Sequence, residues 1–459
     1  MLNTTKDSYQ LQPLREFYQS GHTRTYAFRK KQLEKLKQAV LDHEDEINKA
    51  LFTDLKKNKE ETWATETGLL LMEINILLRN LKKWMSPKRV STNFLNLPST
   101  SKLHKDPLGV VLIISPWNYP LMLALSPLSG AIAGGNCAVI KPSEIATATA
   151  ALINRIISKT FDPDYIKVLE GDGAQVVPAM MDEFRFDHIF YTGSLNVGRS
   201  IYRHAAEHLI PVTLELGGKS PAIVEKDADI KVAARRITVG KFLNAGQTCI
   251  APDYVLVHEG IQEELIAEIK KSIKSFYADA KGYEFGKIIN ESRFNKLISY
   301  LDEGSVIHGG EFDLESLYIA PTLLTNVKAD ASIMNEEIFG PILPIIMFST
   351  FEEALNIVRR NANPLSFYLF TQNKLSEDAW INNVAFGGGC INNADWHFSN
   401  PNLPFGGVGN SGMGSYHGRF SFDTFTRLKP VMKTPTWFDP NLKFPPLEGK
   451  INLFKKLIR

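Results

Sequence analysis

The chain has 459 residues, 44% of them hydrophobic, which is enough to bury the cores of about three domains. Its 52 Lys and Arg against 50 Asp and Glu exclude a strong overall field that would attract nucleic acid or an anionic membrane. Three cysteines without disulfide or zinc-ligand spacing exclude both kinds of scaffold and indicate a reducing compartment.

The two features that bear on location both favour the cytoplasm. Residues 1–20 are polar and lack the apolar segment of a secretory signal, so we expect a cytoplasmic protein. The longest apolar region, 117–140, is interrupted by Pro120, Pro127 and three glycines. It therefore predicts buried protein rather than a membrane span.

Two long helices are predicted at the start of the chain. Apolar residues recur at helical spacing over 28–55, and a second such pattern runs from about Glu60 to Met85. In the second helix Trp63 and Trp84 fall on the apolar side, where packing explains them better than ligand binding.

A hairpin and a parallel sheet are predicted next. Residues 86–106 are rich in Ser, Thr and Asn and favour a hairpin that leaves its domain. Continuous aliphatic runs follow at 108–114, 138–140, 165–169 and 188–191, separated by helical segments. Such alternation predicts right-handed crossovers and a doubly wound sheet.

A second alternating series predicts another α/β domain. Its strands are expected at 211–214, 222–224, 254–258 and 342–348, with a helix over 263–276. Beyond the glycines at 387–389 the chain lacks helical periodicity up to about Phe425. We expect this segment to pair with the 86–106 hairpin in a small sheet that mediates oligomerisation.

A lone cysteine, Cys249, lies in the turn 244–252, between a helical pattern that begins near Ile230 and the strand 254–258. A loop held by rigid elements is a common place for a nucleophile, because backbone amides there remain free. An isolated cysteine is nevertheless more often a small buried thiol, so neighbouring motifs must decide.

Four stretches resemble the signatures of the NAD(P)-dependent aldehyde dehydrogenase superfamily. They are SPWNYP at 115–120, LELGGKSP at 214–221, GQTC at 246–249 and EEIFGP at 336–341. One match would be weak, but four in the right order over most of the chain are specific. The short chain and the segments 250–254 and 404–414 resemble the class 3, fatty-aldehyde-type branch.

The resemblance implies a catalytic set of Cys249, Glu215 and Asn118. An aldehyde releases hydride easily only from a tetrahedral carbon that bears an oxyanion, and a Cys249 thiolate can form that carbon. The Asn118 amide and the Cys249 backbone N–H would stabilise the oxyanion, and Glu215 would activate water as a general base. Without the resemblance, Asn118 could be a turn residue and Glu215 a surface charge, although its apolar setting makes an unpaired carboxylate costly.

The resemblance also implies where the two ends of the cofactor bind. Lys141 and Glu144 match the adenosine-ribose site, and Gly193 and Ser194 match the helix start that holds the pyrophosphate. The textual G-x-G-x-x-G match at 407–412 lacks a strand–helix context, so we reject it as a phosphate loop.

At the nicotinamide end, the resemblance implies that Glu337 holds the ribose and that Phe339 packs near the ring, although Phe339 could equally be a core residue. A carboxylate at the adenosine ribose, such as Glu144, accepts bonds from hydroxyls and repels a 2′-phosphate. We therefore expect NAD to be preferred and NADP to be usable as well. No metal is expected.

Other interpretations remain open at this point. An acylating dehydrogenase would pass the thioester to coenzyme A, but it would not need a water-activating base at Glu215. A catalytically silent binding or structural protein would not need Cys249, Asn118 and Glu215 together. A Cys/His hydrolase using His258 lacks a fitting Asn or Asp partner pattern. Cys137 and Cys390 are interpreted as packing residues.

The fold expected from pattern and resemblance is α/β, with a Rossmann-like parallel sheet domain, a second α/β catalytic domain and a small β oligomerisation arm. The predicted boundaries are 1–85 and 107–210 for the NAD(P)-binding domain, 211–390 for the catalytic domain, 86–106 and 391–430 for the arm, and 431–459 for a C-terminal tail.

The partners expected are an aldehyde substrate and a second copy of the chain. Class 3 resemblance implies medium- to long-chain aliphatic or aromatic aldehydes and a homodimer, and no nucleic acid is expected. The tail segment 450–459 is too short and too charged to span a bilayer. We favour a surface tail over weak membrane contact.

Overall fold

The computed structural model describes residues 8–277 and 285–457. In chain order its strands are β1 (Lys88–Val90), β2 (Thr100–Pro107), β3 (Val110–Ile114), β4 (Cys137–Lys141), β5 (Ile166–Val168), β6 (His188–Gly193), β7 (Val212–Leu216), β8 (Pro221–Val224), β9 (Tyr254–His258), β10 (Ser305–His308), β11 (Phe312–Asp313), β12 (Tyr318–Ile319), β13 (Thr322–Thr325), β14 (Ile342–Phe348), β15 (Ser366–Phe370), β16 (Gly388–Ile391), β17 (Gly412–Met413) and β18 (Thr426–Lys433).

The helices lie mainly between the strands, as the alternating pattern predicted. In chain order they are α1 (Gln12–Gln19), α2 (Tyr26–Asp42), α3 (Glu44–Leu55), α4 (Lys59–Thr62), α5 (Gly68–Met85), α6 (Pro120–Gly134), α7 (Thr147–Thr160), α8 (Gly173–Glu183), α9 (Leu195–Glu207), α10 (Ile230–Phe242), α11 (Gln262–Phe276), α12 (Glu291–Ser299), α13 (Ser332–Asn335), α14 (Phe351–Arg360), α15 (Lys374–Asn383), α16 (Arg419–Thr424) and α17 (Ile451–Leu457).

Two mainly parallel sheets form the body of the molecule, which confirms the predicted α/β class. The first has the order β17-β7-β6-β3-β4-β5, and the second has the order β10-β13-β14-β9-β8-β15-β16. Strand β3 is completely buried, because helices cover both faces of the sheet. The chain order reverses between β3 and β6, and ligands of such folds bind at the carboxyl ends of strands at this reversal.

One strand lies in a different sheet from the one predicted. The run 211–214 was expected to begin the second domain, but β7 pairs in parallel with β6 of the first sheet. The chain crosses to the second sheet only after Leu216, at Gly217 and Gly218, and continues as β8. Glu215 therefore lies at the end of a strand of the first sheet, next to the crossing point.

The predicted helix over 28–55 is two helices, because the chain breaks at His43. The His43 ring nitrogen Nδ1 lies 2.7 Å from the carbonyl oxygen of Ala39, in the last turn of α2. Glu44, Asp45 and Glu46 then occupy the first turn of α3, where negative charge is favourable.

The second predicted helix contains a π-helical segment over Trp63–Thr67. The wider turn changes the face that each side chain presents, and Trp63 is 45% exposed. The expectation that Trp63 packs on the core is therefore wrong, whereas Trp84 is buried as predicted.

The predicted hairpin exists, but its partner strand comes later than expected. Strands β1 and β2 pair antiparallel, and β2 pairs along its length with β18 rather than with a strand in 391–425. The pairing strand therefore begins just after the segment that was expected to pair, and it runs across the boundary drawn between residues 430 and 431. The segment 391–425 instead contributes residues to the wall of a cavity that Cys249 also lines.

In the part of the chain that the structure describes, no helix combines the length and apolar character needed to cross a bilayer.

Candidate active site

Cys249 lies in a tight loop between α10 and β9, as the sequence predicted. Asn244, Ala245 and Gly246 all have positive φ angles, of 53°, 52° and 74°. A Cβ atom at Gly246 would lie 2.2 Å from the carbonyl oxygen of Gly340, so only glycine fits there. The loop thus holds Cys249 in place by close backbone contact with the segment that follows Glu337.

Two cavities meet at this loop. The Glu337 cavity is lined by Pro116, Trp117, Asn118, Leu123, Thr192, Gly193, Ser194, Glu215, Leu216, Gly217, Cys249, Arg293, Glu337 and Phe339. The Tyr416 cavity is lined by Thr65, Tyr119, Met122, Leu123, Thr192, Glu215, Leu216, Leu243, Thr248, Cys249, Ile250, Leu365, Asp395, Phe398, Phe405, Tyr416 and His417. Cys249 and Glu215 belong to both cavities, so each can contact ligands that enter from either side.

The thiol of Cys249 is held in its neutral form at rest. Burial raises its pKa, and the carboxyl groups of Glu337, Glu215 and Asp395 raise the pKa further when they are ionised. The backbone N–H of Cys249 opposes this shift. Since the thiolate is the reactive species, the site requires a group that takes the thiol proton.

Asn118 is fixed beside the nucleophile loop by hydrogen bonds at both ends. Its side-chain Nδ2 donates to the carbonyl oxygen of Gln247 at 3.0 Å. The backbone carbonyl oxygen of Asn118 accepts hydrogen bonds from Asn244 Nδ2 at 2.9 Å and from Lys57 Nζ at 3.0 Å. An amide nitrogen carries two hydrogens, so Asn118 keeps one donor for the Glu337 cavity that it lines.

A buried ion pair that sequence analysis missed supports Asn118. Lys57 Nζ lies 2.7 Å from Glu66 Oε1, and both side chains are inaccessible to solvent. Glu66 Oε2 also accepts the backbone N–H groups of Leu121 and Met122, at the start of α6. Because Lys57 reaches Asn118 across 61 residues of sequence, no local pattern could have indicated this contact.

Glu215 is a buried carboxyl group, with 2% of its surface exposed. It lies on β7 between Thr192 of β6 and Gly412 of β17. Neither carboxyl oxygen has a hydrogen-bond partner among the described residues, and burial raises its pKa well above the ordinary value. Such a group readily takes up and holds a proton.

The four residues predicted for the pyrophosphate and nicotinamide end lie in one place, because Gly193, Ser194, Glu337 and Phe339 all line the Glu337 cavity. Ser194 precedes the first residue of α9, where backbone N–H groups are free. The ring of Phe339 contacts that of Trp117 edge-on, with centroids 5.3 Å apart.

Glu337 faces this cavity with an oxygen that is not satisfied. Its Oε1 has no hydrogen-bond partner among the described residues, and burial together with Asp253 raises its pKa to about 8. The backbone of the next residue, Ile338, is held by Arg293, whose Nη2 donates to the Ile338 carbonyl oxygen at 2.9 Å. Arg293 was not singled out from the sequence.

Lys141 and Glu144 form a separate pair outside the lining of both cavities. Lys141 Nζ lies 2.7 Å from Glu144 Oε2, and the backbone N–H of Gly173 donates to Glu144 Oε1 at 3.0 Å. Partial burial acts to raise the pKa of Glu144, but these hydrogen bonds outweigh it and the pKa is lowered. Lys141 ends β4, so the pair lies at the same carboxyl edge of the sheet as Gly193.

These groups fit a dinucleotide. The helix start at Ser194 suits phosphate, and the unsatisfied Glu337 Oε1 and the exposed edge of Glu144 suit ribose hydroxyls. The Phe339–Trp117 pair offers an aromatic surface for a planar ring.

A buried lysine beside this site was also missed. Lys241 is completely buried on α10, and its Nζ has no hydrogen-bond partner among the described residues. Burial lowers its pKa to about 8, against the opposing effects of Asp253 and Glu337. Sequence periodicity gives no signal for a lysine on the inner face of an amphipathic helix.

The other residues considered from the sequence, a histidine, two cysteines and a glycine-rich segment, do not form a second catalytic site with Cys249. His258 lines neither cavity, and its Nδ1 accepts the backbone N–H of Gly260 at 3.1 Å. Cys137 is buried in β4, and Cys390 lies on β16 outside both cavities. The segment 407–412 forms a turn whose Gly412 pairs with Glu215, so it is not a strand–helix junction.

Comparisons with known proteins identify the family. The family model described as "Aldehyde dehydrogenase family" matches residues 16–431. The 4,4'-diaponeurosporen-aldehyde dehydrogenase of Staphylococcus aureus is 46% identical over 96% of this chain and 97% of its own length. The mouse (Mus musculus) dimeric NADP-preferring aldehyde dehydrogenase is 43% identical over 91% of this chain and 92% of its own length.

A solved structure agrees with this result. The substrate-bound state of S. aureus AldH superimposes with a TM-score of 0.96 at 44% identity, covering 98% of this chain and 99% of that one. The chain therefore belongs to the aldehyde dehydrogenase family, in the class 3 branch that its motifs indicated, and is an enzyme that oxidises aldehydes to carboxylic acids with NAD or NADP.

Proposed function

We propose that Cys249, Asn118 and Glu215 carry out this oxidation at the junction of the two cavities. The observation that carries the assignment is that Cys249 and Glu215 line both cavities, so a carbonyl carbon bound at Cys249 can be reached from either one. The aldehyde occupies the apolar Tyr416 cavity, and the cofactor occupies the Glu337 cavity.

The first chemical step forms a bond between Cys249 Sγ and the aldehyde carbon. The thiol gives its proton to a water molecule, and the carbonyl oxygen becomes an oxyanion. The free N–H of the Asn118 amide and the backbone N–H of Cys249 are fixed donors for this negative charge. A nicotinamide ring held by Glu337 and Phe339 would supply the hydride acceptor, and loss of hydride from the tetrahedral carbon leaves a thioester on Cys249 Sγ.

In the second step Glu215 takes a proton from water, whose oxygen attacks the thioester carbon. The bond to Cys249 Sγ breaks, the carboxylic acid leaves, and the proton held by Glu215 passes to the Cys249 thiolate. The unpaired and buried carboxyl group of Glu215 suits this task and supports hydrolysis over transfer of the acyl group to coenzyme A.

For the cofactor we propose that Gly193 and Ser194 hold the pyrophosphate, that Glu337 and Phe339 hold the nicotinamide ribose and ring, and that Lys141 and Glu144 hold the adenosine ribose. NAD is preferred over NADP, because Glu144 keeps its negative charge at neutral pH.

Medium- to long-chain aliphatic or aromatic aldehydes fit the substrate cavity best. Leucine, isoleucine, methionine and aromatic side chains make up most of its wall. Binding in such a cavity is favourable for an apolar aldehyde chain, because its surface is removed from water.

We propose that the protein acts as a cytoplasmic homodimer. The domain with the first sheet binds the cofactor, the domain with the second sheet supplies Cys249, and the β1-β2-β18 sheet mediates assembly. Strand β18 is an edge strand whose residues after Thr426 are exposed, so its backbone can pair with another chain. The described part of the tail after β18, residues 434–457, lies at the surface and does not anchor the protein in a membrane.

Glu215→Gln tests the proposed chemistry. It should permit hydride transfer but block deacylation, so rapid mixing shows one burst of NADH and intact mass finds an acyl adduct on Cys249. Because the pKa of Glu215 is raised, wild-type deacylation should speed up as pH rises and Glu215 loses its proton, while the variant lacks this dependence. Full turnover, or a burst without an adduct, would contradict the assigned role.

A further inference from the structure

A second buried carboxyl group, Asp395, faces the substrate side of the site and is not used by the proposed chemistry. It lines the Tyr416 cavity together with Cys249, and 7% of its surface is exposed. Its Oδ1 is shielded from solvent and has no hydrogen-bond partner among the described residues. An unsatisfied carboxyl oxygen in an otherwise apolar wall is unfavourable unless a ligand satisfies it.

Asp395 lines the cavity from an unusual backbone conformation. Asp395 has φ 68° and ψ −43°, at the centre of a tight turn closed by a 2.8 Å bond from Trp396 N to the carbonyl oxygen of Ala394. Ala394 is buried in the core, and the Trp396 side chain is 62% exposed. Backbone strain of this kind is concentrated at functional sites, since the surrounding structure must maintain it.

The surroundings of Asp395 determine which partner fits Oδ1. The Tyr368 hydroxyl lies beside the Asp395 carboxyl group, but its proton is donated to the carbonyl oxygen of Ile250 at 2.6 Å. Because that proton is already used, the Tyr368 hydroxyl does not satisfy Asp395 Oδ1. Oδ1 therefore remains an acceptor without a partner among the described residues.

The charges around the cavity support a neutral Asp395. Burial raises its pKa well above the ordinary value. Neither lysine nor arginine occurs among the described residues that line the Tyr416 cavity. The cavity's histidine, His417, has a pKa lowered by burial, so it does not supply a positive charge at neutral pH. A neutral hydrogen-bond donor is thus a better ligand for Oδ1 than an ammonium group.

We propose that Asp395 is a specificity-determining residue that selects aldehydes carrying a hydroxyl group on their chain. The substrate O–H donates to Asp395 Oδ1 while the carbonyl carbon lies at Cys249. The inference rests on the proposed function, because it takes the Tyr416 cavity as the aldehyde site. A hydroxyl-bearing aldehyde leaves water for an apolar cavity, so it is penalised wherever Asp395 cannot compensate.

The test compares alkanals with ω-hydroxyalkanals of equal length, from about six to ten carbons, with purified full-length protein and saturating NAD. The measured quantity is the ratio of kcat/KM for the hydroxylated aldehyde to that for its unsubstituted analogue. In the wild type the ratio should peak above one at one chain length. Asp395→Ala should lower the peak roughly tenfold, as expected for one buried hydrogen bond.

Asp395→Asn is the matched control, because its amide oxygen still accepts and asparagine tolerates the positive φ. It should retain most of the wild-type ratio. A ratio within one preparation is independent of the fraction of folded enzyme, so partial misfolding of a variant does not obscure the result.

The outcomes separate this inference from the proposed function. If the wild-type ratio stays below one at every length, or if Asp395→Ala leaves it unchanged while alkanals are still oxidised through Cys249, the inference is wrong and the function stands. If neither series yields NADH or an adduct on Cys249, the proposed function itself fails.

Discussion

The side-chain amide of Asn118 donates a hydrogen bond to the carbonyl oxygen of Gln247 at 3.0 Å, across 129 residues of sequence. Gln247 lies two residues before Cys249, so this bond ties the loop before α6 to the nucleophile loop. Gln247 is itself held by its side chain, whose Nε2 donates to the carbonyl oxygens of Asn244 and Lys287. The oxyanion donor and the nucleophile are thus fixed relative to each other before substrate binds.

Replacing Asn118 with alanine should lower kcat by roughly 10²–10³-fold, since one fixed oxyanion donor is lost. KM for the aldehyde should change little, because the donor acts mainly on the charge that develops in the transition state. Steady-state kinetics measure the separate effects on kcat and KM. The rate at which iodoacetamide alkylates Cys249 serves as the control for an intact nucleophile loop. A variant with a raised KM and unaltered kcat would contradict the oxyanion role.

Breaking the Lys57–Glu66 pair should destabilise the protein strongly. Either Lys57→Met or Glu66→Gln leaves a buried group without its partner, at a cost of roughly 3–5 kcal/mol. The double variant should be less destabilised than the sum of the two single variants. Thermal unfolding of all three measures the coupling.

The exposed pair Lys374–Glu377 provides the matched control, because its lysine side chain is 69% exposed. Lys374→Met should cost less than about 1 kcal/mol. Equal effects at the two pairs would mean that Lys57 does not carry the packing role assigned to it.

Cofactor preference should depend on Glu144. The wild type should favour NAD over NADP by roughly tenfold in kcat/KM, or about 1.4 kcal/mol. Glu144→Ser should narrow or reverse the preference, mainly through KM for NADP, because Lys141 is then released from its 2.7 Å ion pair. A wild type that favours NADP, or an unchanged ratio in the variant, would place the adenosine ribose elsewhere.

The sequence predicted the parts of this site that motifs carry. The structure places four residues from separate motifs in one cavity, although tens to hundreds of residues lie between them in the sequence. These residues are Asn118, Glu215, Cys249 and Glu337. Aliphatic runs likewise predicted the strands of both sheets, because strands buried on both faces are continuously apolar.

Other features depend on tertiary contacts that a local pattern does not contain. The π-helical segment that exposes Trp63 leaves the apolar periodicity of the sequence unchanged. The placement of β7 in the first sheet depends on its pairing with β6. Asp395 lies in the segment that was expected to pair with the 86–106 hairpin, and only the folded chain shows that it is buried beside the Tyr416 cavity.

Aldehyde oxidation through a covalent bond to Cys249 requires its thiol, which Cys249→Ser removes. The measurement is NADH production from a medium-chain alkanal, with NAD affinity determined in parallel and Cys390→Ser as the matched control, since Cys390 lies outside both cavities. We expect Cys249→Ser to abolish NADH production with unchanged NAD affinity, and Cys390→Ser to keep wild-type turnover. Undiminished turnover in Cys249→Ser would contradict the covalent mechanism.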